Sequence, residues 1–130
     1  MSVDEGSGGA QTTSLVNRLE AQRQVQSVVR SMESELFVGM TEVELSSRLR
    51  SRLVEAGAEG FFHEPVVWFG ERSALKGMRG HSDAMPGETE LCEGDVVLMD
   101  AAPLLAGHDT AASCLFSALP SLTAHPPLMR

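Results

Sequence analysis

Within "GDVVLMDAAPLLAGHD", Gly94–Asp109, one aspartate, Asp100, closes an apolar run and a second, Asp109, follows a Gly-His pair. Carboxylates are the ligands of hard divalent ions, and a strand end followed by a turn can aim two of them at one point. In a tight hairpin centred on Leu104 and Leu105, Asp100 would face Asp109. Like charges opposed across a ladder destabilise it unless a cation lies between them. Leu-Leu, however, is a poor two-residue turn, because the favoured types need positive φ and hence Gly, Asn or Asp. A turn at Ala106 and Gly107 puts Asp100 opposite Ser113 instead and leaves Asp109 in the bend. Spacing alone therefore leaves two readings open, a metal pair and two solvated aspartates.

The histidines are equally divided. His63 lies in an apolar stretch, where a packing role is the ordinary one; His81 sits in a Gly-rich loop, where a substrate contact and a plain surface residue both fit. His108 adjoins Asp109 and could join it as a ligand. Cys92 and Cys114 form one conceivable pair, with nothing in the sequence to place them together. No Ser/His/Asp or Cys/His arrangement, Walker loop or dinucleotide glycine pattern is visible.

The elements that must position these residues can be read from periodicity. Residues 1–12, "MSVDEGSGGAQT", have the composition of a disordered tail. Leu15, Leu19, Val25, Val29, Met32 and Leu36 then recur at helical spacing, predicting a long amphipathic helix. Thr41 with Glu44 makes a capping box, Leu45, Leu49 and Leu53 form a stripe, and Gly57 suits the position after a helix C-terminus. A second helix over about 42–56 follows, with Gly39 at the reversal before it. "FFHEPVVWFG" is short, β-branched and aromatic and reads as a strand limited by Pro65. "ERSALKGMRGHSDAMPGETEL" reads as loop with one helical turn, and "DVVLMD" as a strand buried on both faces.

At 130 residues the chain fits one domain. Its net charge of −8 argues against nucleic-acid or anionic-membrane partners, since no Lys/Arg cluster exists to neutralise phosphates. Arg48, Arg50 and Arg52 alternate with apolar residues and read as a solvated helix face. No apolar run is long enough to span a membrane and the first residues lack the pattern of a leader, so the expectation is a cytoplasmic protein. After Asp109 the composition changes: "TAASCLFSALPSLTAHPPLMR" carries no acid, and Pro120, Pro126 and Pro127 interrupt it. The expected organisation is a tail at 1–12, a domain at 13–109 and a poorly ordered, atypical end at 110–130.

The order "VGMTEVELSSRL", "LVEAGAEGFFHEPVVWFGERSAL" and "GHSDAMPGETELCEGDVVLMDAAP" resembles the pita-bread metallopeptidases: methionine aminopeptidase, Xaa-Pro peptidase and creatinase. The resemblance implies an α/β (α+β) fold, here a partial pita-bread fold with a curved, mainly antiparallel sheet backed by two amphipathic helices. It implies divalent ions (Mn, Co, Zn or Fe) and hydrolysis of N-terminal peptide bonds in peptide substrates. Carried onto this chain, Asp100 matches the first metal ligand, His81 a substrate-side histidine, and Asp109 the second ligand loosely, arriving about two residues early. The family's further His and Glu ligands come from a second half, and no Glu follows Glu93. His125 lacks the corresponding motif, so the metal site implied for this chain is incomplete. The reading that follows is an N-terminal half, truncated or frame-shifted near the hairpin, inactive or weakly active. The alternative is a non-catalytic binding or dimerisation module that associates through an exposed sheet edge.

Overall fold

The structure, a computed structural model, describes residues 2–74 and 84–117, with side-chain surroundings from residue 14 onward. Helix α1, Ser2–Ser31, leads through a 3₁₀ turn at Met32–Glu35 and a reversal to helix α2, Glu42–Glu55. Six strands follow: β1 Ala58–Phe61, β2 Val66–Phe69, β3 Val96–Ala101, β4 Pro103–Leu105, β5 His108–Asp109 and β6 Ala112–Ser117. They form two antiparallel sheets, in the orders β1-β4-β5 and β2-β3-β6. Among the described residues no helix is long and apolar enough to cross a membrane.

Each helix exists for a legible reason. Thr41 Oγ1 accepts the Glu44 N–H at 3.1 Å while the Glu44 carboxylate accepts the Thr41 N–H at 2.9 Å, the reciprocal box expected at this start. The next two orphan donors, Glu42 and Val43 N–H, are taken by the carbonyls of Thr89 and Gly87. Leu45, Leu49 and Leu53 are fully buried, each worth about 1.5–3 kcal/mol of transfer free energy. Gly57, at φ +110°, ends the helix as its sequence position suggests. In α1 burial starts at Ala21 and continues through Val25 and Val29 to Met32. Leu15 and Leu19, expected on the same stripe, are instead more than half exposed, because that part of the helix runs past the surface against which the rest packs. Helix α1 also spans residues 2–12, the stretch whose composition is that of a flexible tail.

Three further expectations are corrected. "FFHEPVVWFG" is not one strand: Phe61 ends β1, residues 62–65 are a break where Pro65 removes a donor from any continuous ladder, and Val66–Phe69 form β2 in the other sheet. The "DVVLMD" strand is buried on one face only: Val97, Met99 and Ala101 point into the core, while Val96, Leu98 and Asp100 are half-buried on the other. The chain does not leave the fold after Asp109, since Ala112–Ser117 pairs along the whole of β3. Its inward positions, Ala112, Cys114 and Phe116, alternate as a strand requires. Residues 118–130, including His125, lie outside the described residues.

The reversal between β4 and β5 lies at Ala106 and Gly107, both at positive φ (52° and 79°), a type I′ arrangement. From it Leu105 pairs with His108, Leu104 with Asp109 and, past a break at Ala102, Asp100 with Ser113. At the break the Pro103 carbonyl accepts both the N–H and the hydroxyl of buried Thr110. One long hairpin therefore serves both sheets. The Arg face of α2 is exposed and engaged: Arg52 and Arg48 meet Glu35, Arg50 meets Glu64, and the Arg48 and Arg50 guanidiniums lie over Phe37 and Phe61. Pairs this exposed contribute at most about 1 kcal/mol each.

Ala106 holds a left-handed conformation that costs an L-residue with a Cβ roughly 1–2 kcal/mol. Ala106→Asn is expected to raise stability by about 0.5–1 kcal/mol, because Asn-Gly suits this turn. A urea unfolding midpoint unchanged or lowered would show that the turn is not strained.

Candidate functional site

Asp100 is the next-to-last residue of β3, the central strand of its sheet, with Val66 of β2 on one side and Ser113 of β6 on the other. Alternation along β3 turns its side chain away from the helices and onto the sheet's other face. Val96, Leu98 and Trp68 share that face half-buried, and Leu115 shares it at 64% exposure. The Ser113 hydroxyl donates to Asp100 Oδ1 at 3.0 Å. A strand paired on both edges is a stiff mount, and a neighbouring hydroxyl fixes the carboxylate's orientation. The result is a single acceptor aimed at a face that the described helices leave open.

The structure does not bring Asp109 to Asp100. Asp109 pairs with Leu104, four positions along the strand, or about 13 Å of extended chain. Ligands to one ion or to two bridged ions must converge within about 2–2.6 Å of the metal. Of the two turn placements the sequence allowed, the structure has the one at Ala106-Gly107, which opposes Asp100 with a hydroxyl in place of a second charge. His108 lies at the hairpin tip opposite Leu105, and His63 is exposed, its Nδ1 2.9 Å from the Glu64 carbonyl oxygen. His81 lies outside the described residues. Among the described residues no group of three or more His, Cys, Asp or Glu side chains could hold a metal. Asp100 and Ser113 alone do not fit a dinuclear centre, and no reaction step can be derived from them.

The position two residues beyond Asp109 is Ala111, exposed, one residue before β6. By alternation it falls on the same face as Ser113 and Asp100, diagonal to the latter. Gln22 of α1 holds this residue by both backbone groups, accepting the Ala111 N–H at 3.1 Å and donating to its carbonyl. Sequence reasoning gave no sign of Gln22, an ordinary polar residue on a helix. It also passed over Glu42 and Arg72, whose ion pair at 3.0 Å, with the carboxylate fully buried, lies at the start of α2.

Ala111→Asp is expected to confer or strengthen binding of Mn²⁺ on the open face, by about tenfold or more in affinity, since a second carboxylate would stand diagonal to Asp100. Isothermal titration with Mn²⁺ checks this, with Asp109→Ala as a variant expected to change nothing. Equal affinities for Ala111→Asp and the unaltered chain would mean that the face is not built for a cation.

The model of metallopeptidase family M24 matches residues 18–120. No curated protein matches. Among solved structures, X-Pro aminopeptidase from Thermotoga maritima superposes with a TM-score of 0.66 at 21% identity, over 78% of this chain and 28% of its own. Prolidase from Thermococcus sibiricus gives 0.69 at 23% identity, over 84% and 28%. Xaa-Pro dipeptidase from Bacillus anthracis gives 0.66 at 23%, over 79% and 28%. At these identities the likeness concerns the fold, and the chain spans under a third of the length of each of these proteins. The helix-backed antiparallel sheets, the strand that presents Asp100 and the match over residues 18–120 agree: the chain belongs to metallopeptidase family M24.

Proposed function

We propose that this chain carries the first-ligand half of a divalent-metal-dependent aminopeptidase or Xaa-Pro peptidase. In this reading Asp100 is a metal-side carboxylate and His81 a substrate-side residue. The supporting observation is the placement of Asp100 on the open sheet face, at the end of a doubly paired strand in a family M24 fold. The similar solved structures are named for Xaa-Pro peptides, which supplies the substrate class. Divalent ions acidify a bound water toward pH 7 and polarise the scissile carbonyl. That chemistry needs more donors than Asp100, so the reading includes little or no hydrolysis by this chain alone. Within it, Ser113 orients the carboxylate and Gln22 holds the chain where β6 begins. Asp109, at the hairpin tip, has no part beside Asp100. The free cysteines Cys92 and Cys114 are consistent with a reducing, cytoplasmic setting.

A second reading has an observation of its own. Strand β6 borders its sheet among the described residues, and Leu115 on it is 64% exposed. An open edge with an apolar side chain favours association, which suits a binding or dimerisation module.

The two readings separate in one set of measurements: metal content, hydrolysis of Met-Xaa and Xaa-Pro peptides with and without Mn²⁺ or Co²⁺, and sedimentation. The first reading expects weak Mn²⁺ binding that Asp100→Ala abolishes, with turnover at background. Stoichiometric tight metal with robust turnover would overturn the inactivity, and Mn²⁺ binding unaltered by Asp100→Ala would remove the ligand assignment. A concentration-dependent dimer indifferent to metal would establish the module instead.

A further inference from the structure

After β2 the chain leaves the sheet and comes back alongside the start of α2, and both legs of this excursion end on one buried carboxylate. Glu42, the first residue of α2, is 0% exposed. Its Oε2 accepts the Phe69 N–H at 2.9 Å on the outgoing leg, and its Oε1 accepts the Gly87 N–H at 3.0 Å on the returning leg. Arg72 bridges the legs as well, its Nε 3.1 and 3.0 Å from the two carboxylate oxygens and its Nη2 donating to the Met85 carbonyl at 3.0 Å. The backbone of residues 87–91 continues the contact, with Val43 and Glu42 N–H donating to Gly87 and Thr89 carbonyls.

A carboxylate at the first turn of a helix gains from the helix dipole while fully solvated, so capping gives no reason to bury it. The cap is already complete with Thr41 and Glu44. Burying the charge costs several kcal/mol unless it is paired and its oxygens are satisfied. Among the described residues, every hydrogen-bond partner of Glu42's carboxylate lies on one leg or the other. The desolvation is offset by contacts whose common effect is to hold residues 69–72 against residues 85–87.

We infer that Glu42 and Arg72 are positioning residues, a clasp built on a buried carboxylate that fixes the separation of residues 69–72 from residues 85–87. Any consequence for catalysis rests on the reading proposed above; the clasp itself does not. A merely structural ion pair would support the whole core evenly, whereas a clasp acts on its two legs.

Amide hydrogen exchange on the full 130-residue chain distinguishes these, with Glu42→Gln and Arg72→Lys as the variants. In Glu42→Gln the Phe69 and Gly87 amides are expected to exchange about ten to a hundred times faster, the loss of a charge-assisted hydrogen bond, while Val97 and Met99 amides in β3 keep their protection. Arg72→Lys keeps the charge without the planar fork and is expected to give a smaller rise confined to the same legs. If protection at Gly87 persists, or if Val97 and Met99 lose protection by the same factor, the clasp is overturned. Should Glu42→Gln not fold, Arg72→Lys decides alone, by whether the rise is confined to the legs. Absence of Mn²⁺ binding with the exchange pattern intact would remove the metal-ligand reading and leave the clasp standing.

Discussion

Left-handed backbone at Ala106 and Gly107 reverses the chain within two residues, and the pairing that follows is fixed outward from that turn, through Asp100 on Ser113 to Val96 on Ser117. Side chains alternate strictly along a strand, so this register also fixes which of them meet the helices. Val97, Met99, Ala101 and Ala112 go inward against Val25, Val29 and the leucines of α2. Asp100 is left on the other face for the same reason. Moving the turn by two residues toward Leu104 would have opposed two carboxylates.

The sheet is held to the helices by burial and by a few polar ties that settle orientation. α1 reaches the hairpin through Gln22, whose amide satisfies both backbone groups of Ala111 where the chain passes from one sheet to the other. α2 reaches β2 through Glu42 and also through Ser46, which donates to the Pro65 carbonyl at 2.9 Å. Segment 87–91 lies along residues 39–43 in short antiparallel fashion, with a bridge at Thr41 and Glu90. Apolar area supplies the bulk of the stability, and these directional contacts decide the angle at which the layers meet.

Where local signals and burial agreed, the sequence was readable. The capping box at Thr41, the leucine stripe and Gly57 delimit α2, because each acts within a turn or two of helix. The ordered motifs from Gly39 to Ala101 carried the family resemblance, and Asp100 lies near the end of the strand that the last of them marks. The strand over 112–117 was missed because its cue was weak: Ala, Ser and Cys dominate it, and its pairing is decided by a partner many residues earlier. The break at residues 62–65 was half legible through Pro65, but which sheet each piece joins is a tertiary matter. Glu42 was invisible for a related reason. An acid after an N-cap is the commonest of helix starts, and nothing in its neighbours tells that it is turned inward to meet Arg72.

The chain has one tryptophan, the residue before Phe69, whose N–H Glu42 accepts. Trp68 is half-buried on β2, and its indole N–H donates to the carbonyl of Ala84, on the returning leg of the same excursion. An indole shifts its emission with the polarity of its surroundings and with the loss of a hydrogen-bond partner. Loosening of these two legs therefore changes the intrinsic fluorescence of the whole molecule, and no second indole is present to obscure the signal. The fold thus carries a native optical reporter at the point where these two legs are anchored.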